Sequence, residues 1–376
     1  MRSAAEFVAG LSPWPEDGFG TERIRALLRA LGDPQRDYPA IHVVGTNGKS
    51  TTARLVEALL AAEGLRVGTY LSPHVSGWSE RIRVGGQEAD FDAAVSAVRE
   101  PAEALGATQF EVLTSAALKA FAEAAVDVAV VEAGLGGRFD ATNVLRSRVV
   151  VLTNVALDHT DVLGETREEI AAEKLAVVLP NATVVIGEPE WRDAAYAAGA
   201  EVVVHAGGSN LALAIAAAES FLGRPVDPHA ADDVVLPGRL ERRGSAPLEV
   251  WAGAHNLHGI GWLLPRLEVR PWVVVLSVLT DKDVDGMLAA FSVLGDHLVA
   301  TRSSNPRAMP ADALAERARG RFAHVEAIPS PSRARARARE LAGPEGAVLV
   351  TGSLYLLADL SGQEEQSEPW RNLVIG

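Results

Sequence analysis

An α/β fold in two domains is what this sequence predicts: a larger domain with a phosphate-binding loop (P-loop) on a parallel sheet, then a smaller α/β domain. Three observations predict it. The chain has 376 residues, beyond the usual size of a single domain. Short Val- and Ile-rich runs alternate with helix-period segments, the pattern of strands covered on both faces. The proline- and aspartate-rich stretch GRPVDPHAADDVVLPG, Gly223–Gly238, interrupts that alternation and reads as an interdomain connection. The domains are therefore expected at 1–236 and 237–376, with a polar, frayed tail after about 361.

In the first domain the strands are read at Ile41–Val44, Arg66–Leu71, Val128–Val131, Val149–Thr153, Val184–Gly187 and Glu201–His205. Helical spacing covers Ser50–Glu63, Phe110–Glu123, Arg167–Val178, Trp191–Ala198 and Leu211–Leu222. A second series begins after the connection, with strands at Leu248–Trp251, Trp272–Ser277, His297–Thr301, His324–Ile328 and Ala347–Val350. The alternating Ala and Arg of Arg333–Arg339 read as a solvated helix face.

Composition narrows the function. Apolar residues make up 48% and charged residues 22%, ordinary for a globular chain. No cysteine is present, which excludes disulfides, thiol catalysis and Cys-ligated metal centres. The formal charge of −14 repels a phosphate backbone, so nucleic acid is not an expected partner. Apolar stretches are too short to span a bilayer, and Glu6 interrupts the N-terminal apolar patch, so no membrane anchor or secretory leader is expected. A cytoplasmic protein is the working expectation.

The strongest local signal is Gly45-Thr46-Asn47-Gly48-Lys49-Ser50-Thr51-Thr52, between a strand and a helix. Glycines let backbone amides approach phosphate oxygens, and the helix N-terminus adds partial positive charge. Lys49 reaches the terminal phosphates, and Ser50 or Thr51 offers a hydroxyl to Mg²⁺. Only two residues separate Gly45 from Gly48, where the common GxxxxGK[ST] pattern has four. Metal ligands should lie at the carboxyl ends of the parallel strands. Ser72, Glu132 and His159 each follow such a run, so hydroxyl, carboxylate and imidazole are candidates for one sheet edge. Of the 35 basic residues only Lys49, Lys119, Lys174 and Lys282 are lysines, which marks them for work that Arg cannot do. Lys174, in the apolar helix AAEKLA, reads either as a lysine snorkelling to solvent or as one with a shifted pKa.

These motifs, taken together, resemble the folylpolyglutamate synthase/dihydrofolate synthase family of the Mur ligase superfamily. The likeness runs nearly end to end: LGDPQ at Leu31, HVVGTNGKST at His42, SPHVSGWSERIRVGG at Ser72, EAGLGGRFDATN at Glu132, LDHTDVLG at Leu157, PGRLE at Pro237, GAHN at Gly253, DKD at Asp281 and TGSLYL at Thr351. It implies a Mur ligase-like architecture whose second domain is Rossmann-like. It also implies ATP contacts at Asn47, Gly48, Lys49, Ser50, Thr51, Asn210 and Arg239, and two Mg²⁺ held by Ser72, Glu132, His159 and a carbamylated Lys174. Pterin contacts are implied at Thr108, Gln109, Phe110, Glu111, Phe139, Asp140 and Ala141. Lys49, Lys174 and His255 are implied as the catalytic set, on a monomer using small-molecule substrates. The implied reaction joins a pterin-linked carboxylate to L-glutamate through an acyl phosphate, releasing ADP and phosphate.

Two positions depart from the family pattern. Ser50 replaces a usual glycine, and Ala252 replaces the Asp of DGAHNP that helps hold nucleotide. Glu249 lies three residues away, on the opposite strand face, and is a poor substitute. A Mur-type ligase for another acid and amino acid, and a degenerate nucleotide-binding homologue, are the alternatives.

Overall fold

The computed structural model describes residues 3–13, 15 and 18–365. The polar tail expected after about 361 begins inside a helix that runs to Glu365, and the remainder lies outside the described residues. The chain forms two compact units. One takes in the chain up to Pro73 and Trp78–Val234; the other takes in His74–Gly77 and the chain from Val235 on.

In the first unit, α1 (Ala4–Ala9) and α2 (Glu22–Ala30) precede β1 (Ala40–Val44), α3 (Lys49–Ala62) and β2 (Val67–Tyr70). An edge hairpin follows, β3 (Ile82–Val84) and β4 (Gln87–Glu88), then α4 (Phe91–Leu105), α5 (Gln109–Glu123) and β5 (Val128–Glu132). The rest is β6 (Ser147–Leu152), α6 (Thr160–Leu163), α7 (Arg167–Leu175), β7 (Thr183–Ile186), α8 (Arg192–Ala197), β8 (Val202–His205) and α9 (Asn210–Leu222). The eight strands form one sheet in the order β4-β3-β2-β5-β1-β6-β7-β8. Pairing is parallel from β2 to β8, while β3 and β4 join antiparallel. The Val-rich strands are buried end to end: β1 and β5 expose no residue, because apolar clusters cover both faces.

Helix starts follow local chemistry. Thr108 and Thr166 each cap a helix with a reciprocal Glu three residues on, Glu111 and Glu169. Sequence periodicity alone missed α4, whose amphipathic pattern carries Pro101 inside it, and the short strands β3 and β4.

The second unit contains β9 (Arg239–Ser245), β10 (Leu248–Ala252), α10 (Leu257–Leu263), β11 (Trp272–Leu276), α11 (Val284–Phe291) and β12 (His297–Ala300). It continues with α12 (Ala311–Ala318), β13 (His324–Ala327), α13 (Pro331–Ala342), β14 (Ala347–Thr351) and α14 (Leu354–Glu365). Its six strands run β13-β12-β11-β14-β10-β9, parallel except for the edge strand β9. The reading of Arg333–Arg339 as a solvated face is corrected here. Arg335 Nε lies 2.6 Å from Glu249 Oε1, Arg339 pairs with the other oxygen, and Trp251 Nε1 donates to Oε1 at 2.7 Å. Burial pushes the Glu249 carboxyl up, but these donors outweigh it and hold it below its usual range. Half the arginines of α13 thus clamp a fully buried carboxylate. Among the described residues, no helix is long and apolar enough to cross a membrane.

Candidate functional site

The phosphate-type loop sits between β1 and α3, as its sequence requires. Gly45 and Gly48 have φ of 145° and 82°, a region that favours glycine. A Cβ on Gly45 would lie 1.9 Å from Thr153 Oγ1, and one on Gly48 would lie 2.4 Å from Asn210 Oδ1. Asn210, at the start of α9, is therefore pressed against the loop. The segment after β6 pins the loop from the other side. Asn154 O accepts from Thr46 N at 3.0 Å and Asn154 Oδ1 accepts from Asn47 N at 3.0 Å, while Asn154 Nδ2 and Thr153 Oγ1 donate to Asn47 O at 2.9 and 2.8 Å. Sequence motifs did not single out Thr153 or Asn154, which hold the loop without belonging to it. Lys49 Nζ folds back onto Thr46 O at 3.3 Å. Gly48 is the N-cap of α3, so the loop runs directly into the helix N-terminus, whose dipole favours an anion.

β2, β5, β1 and β6 are neighbours in the sheet, so Ser72, Glu132 and His159, from β2, β5 and β6, leave the same edge as the glycine loop that follows β1, while Lys174 comes from α7. Glu132 Oε1 accepts from Ser50 Oγ at 3.0 Å, and Oε2 accepts from Ser72 N at 2.9 Å. Ser72 Oγ is buried without a hydrogen-bond partner among the described residues. An orphaned hydroxyl beside a buried carboxylate suits a hard, oxygen-seeking cation. His159 follows β6 in the left-handed region, φ 53°, with Nε2 3.6 Å from Asp158 Oδ1. Among the described residues no three His, Asp or Glu side chains cluster as a metal site. The expected set contains two such residues, the others being Ser72 and Lys174.

Lys174 does not snorkel. It is buried, and its Nζ donates to Gly45 O at 3.0 Å. Burial and the nearby Lys49 charge push its pKa down to about 7, against the pull of Asp158, Asp140 and Glu173. A substantial fraction of this amine is neutral near pH 7 and therefore nucleophilic.

Beside this edge lies a cavity of about 250 Å³, and Thr108, Gln109, Phe110, Glu111, Phe139, Asp140 and Ala141 all line it. Glu111 Oε2 accepts from Thr108 N, Thr108 Oγ1 and Arg23 Nε, each at 2.8 Å, which ties α5 to α2. Phe110 lies so close to Gly134 that a Cβ there would meet its ring at 2.5 Å. Asp140 accepts from Leu135 N at 2.8 Å, from Thr142 N at 3.0 Å and from the Thr142 hydroxyl. Burial nevertheless raises its pKa. Sequence reading missed Pro13, Pro15, Phe19, Arg81 and Val162 on the same cavity wall. The signals were present in an exposed Phe in a Pro/Gly-rich loop and an Arg inside the Ser72–Gly86 motif. Two chain connections join cavity to loop. Gly134 and Leu135, which line it, follow Glu132, and Glu173, which lines it, precedes Lys174.

In the second unit, Arg239 and His255 share the neighbourhood of Gly253. A Cβ on Gly253 would lie 3.0 Å from Arg239 Nη1, and His255 Nδ1 is 2.8 Å from Gly253 O. A carbonyl only accepts, so Nδ1 carries the proton. Ala252 ends β10 on the face opposite Glu249; Ala252 joins the β10–β11 apolar cluster, while Glu249 faces α13. Glu249 is committed to its arginines and replaces no missing carboxylate at Ala252.

The Mur ligase middle-domain family matches residues 43–221, and the Mur ligase glutamate ligase domain matches residues 238–354. The dihydrofolate synthase/folylpolyglutamate synthase of Mycobacterium tuberculosis is 37% identical over 82% of this chain and 80% of its own length. Escherichia coli FolC, solved in complex with DHPP and ADP, superposes with a TM-score of 0.87 at 29% identity, covering 97% of this chain and 98% of that one. A bifunctional folylpolyglutamate synthase/dihydrofolate synthase solved with Mn, AMPPNP and L-glutamate superposes with a TM-score of 0.86 at 31% identity over 97% of this chain and 98% of its own.

Proposed function

This chain belongs to the dihydrofolate synthase/folylpolyglutamate synthase family of ATP-dependent Mur ligases, and we propose that it joins a pterin-linked carboxylate to L-glutamate through an acyl phosphate. One observation carries the reading. A single cavity gathers all seven residues assigned to the pterin and is bounded by the segments that bring Glu132 and Lys174 to the phosphate loop.

In this reading the triphosphate lies along Asn47, Gly48, Lys49, Ser50 and Thr51, with Asn210 beside the loop and Arg239 contributing from the second unit. The substrate carboxylate oxygen attacks the γ-phosphorus, the β–γ bridging bond breaks, and ADP leaves. Lys49 holds positive charge against the transferring phosphoryl group without a covalent step. The glutamate amine then attacks the acyl carbonyl, phosphate departs, and the amine gives up a proton. Ser72, Glu132, His159 and Lys174 would hold two divalent cations, Lys174 once its neutral amine has added to CO₂ and lost a proton to solvent, leaving a carbamate oxygen as ligand. Such cations supply charge neutralisation and orientation of phosphate oxygens. The second unit is assigned the glutamate and carries His255, and the reaction requires that water be excluded during transfer. A role without chemistry, as a nucleotide-dependent binding protein, is the alternative that Ala252 motivates.

The deciding experiment measures phosphate release with Mg-ATP, L-glutamate and either dihydropteroate or a reduced folate. Release that requires both acid and glutamate is the expected result. No release with any pterin acid, despite ATP binding, refutes the proposal.

A further inference from the structure

Beneath the cavity lies a buried hydrogen-bonded chain that none of the reaction steps above uses. His42, on β1, is 1% exposed, and its Nε2 lies 2.8 Å from Thr142 Oγ1. Thr142 is fully buried, and its hydroxyl contacts Asp140 Oδ1. Asp140 opens onto the cavity, and its other oxygen accepts from Leu135 N at 2.8 Å.

The Thr142 hydroxyl has one proton and two neighbours. Both Asp140 oxygens accept backbone N–H groups, Oδ2 from Leu135 and Oδ1 from Thr142, and these donors favour the carboxylate against the burial that raises its pKa. A carboxylate only accepts, so the hydroxyl proton goes to Asp140. His42 must then donate through Nε2–H to the hydroxyl oxygen. We infer that His42 and Thr142 are positioning residues of the acid-substrate cavity, which hold Asp140 as a hydrogen-bond acceptor and fix its orientation against the Gly134–Leu135 wall.

Burial keeps the imidazole neutral, with its pKa down to about 3, so the relay carries no second charge that would cancel that of Asp140. A ring edge reaching Asp140 must therefore bring N–H donors, as the aminopyrimidine edge of a reduced pterin does. The substrate's own carboxylate is repelled from that end, which directs it away from Asp140. The inference deepens the proposed function and rests on it.

The test uses the full-length enzyme with the pterin acid that the wild type turns over. Thr142→Val, which keeps shape and loses the hydroxyl, is expected to raise the KM for that acid about tenfold, the effect of one charge-assisted hydrogen bond. The KM for ATP and kcat should stay within about threefold. Thr142→Ser and His42→Gln, which keep a hydroxyl and a donor, should return the KM towards wild type. An unchanged pterin KM in Thr142→Val, or all parameters falling together, overturns the inference. If that variant fails to fold, ¹⁵N chemical shifts of the wild-type His42 ring decide. Protonation on Nε2 alone supports the relay; protonation on Nδ1 alone, or on both near neutral pH, overturns it. A wild type that consumes no pterin acid refutes the functional reading instead, and the tautomer remains separately measurable.

Discussion

Lys49 and Lys174 show how one residue type does two jobs a few ångströms from the same loop. Lys49 donates to the Thr46 carbonyl from within the loop, and Lys174 donates to the Gly45 carbonyl from α7. The Lys49 charge adds to burial in lowering the proton affinity of Lys174. Lys49→Ala is expected to reduce phosphate release below about a tenth of wild type, because nothing else in the loop supplies that charge to the phosphoryl group. Lys174 carries a stability signature as well. Its folded pKa of about 7 lies below the ordinary 10.5, so between these values the unfolded chain holds the extra proton. Stability from this residue therefore rises with pH across that window and is lowest below pH 7. Metal-free Lys174→Met should be more stable than wild type at pH 7, by up to roughly 4 kcal/mol. That gap should close by about pH 10, read by urea unfolding at each pH.

At the scale of elements, two devices set the shape of the sites. Gly134 lets Phe110 of α5 lie against the loop after β5. Gly134→Ala should push that ring into the cavity, raising the KM for the acid substrate by about tenfold or more with the KM for ATP little changed. In the second unit, α13 is fastened to β10 through Glu249, Arg335 and Arg339. Glu249→Gln leaves two arginines facing a neutral amide and should cost about 3–5 kcal/mol in chemical denaturation. The folded Glu249 pKa lies below the ordinary 4.5, so its contribution is present above that pH and is lost as pH falls through the folded value. The difference between variant and wild type should shrink accordingly in acid.

For the whole molecule, the chain builds two separate sheets, each with its own apolar clusters on both faces. The net charge of −14 is a property of the entire surface. It predicts no retention on a DNA or heparin column at physiological salt, and retention would show a basic patch strong enough to override the average.

Strand identity, the glycine loop between β1 and α3, and the polar residues Ser72, Glu132 and His159 at strand ends were legible in the linear chain. Local patterning encodes them directly: apolar runs for doubly covered strands, glycines where φ is positive, and polar residues where strands end. The glycine loop was readable because its backbone demands exclude other residues, as Gly45 against Thr153 and Gly48 against Asn210 now show. Contacts between distant segments were not readable. That Asn154 would brace the loop, that Phe19 and Arg81 would line the same wall as Asp140, and that an alternating Ala/Arg helix would clamp Glu249 all depend on which elements become neighbours. Lys174 marks the boundary between the two kinds of information. Its one-dimensional setting permits a solvated amine, and only tertiary burial beside Lys49 lowers its pKa to about 7 so that a substantial fraction is neutral, because the cost of a buried charge is set by the surroundings and not by the residue.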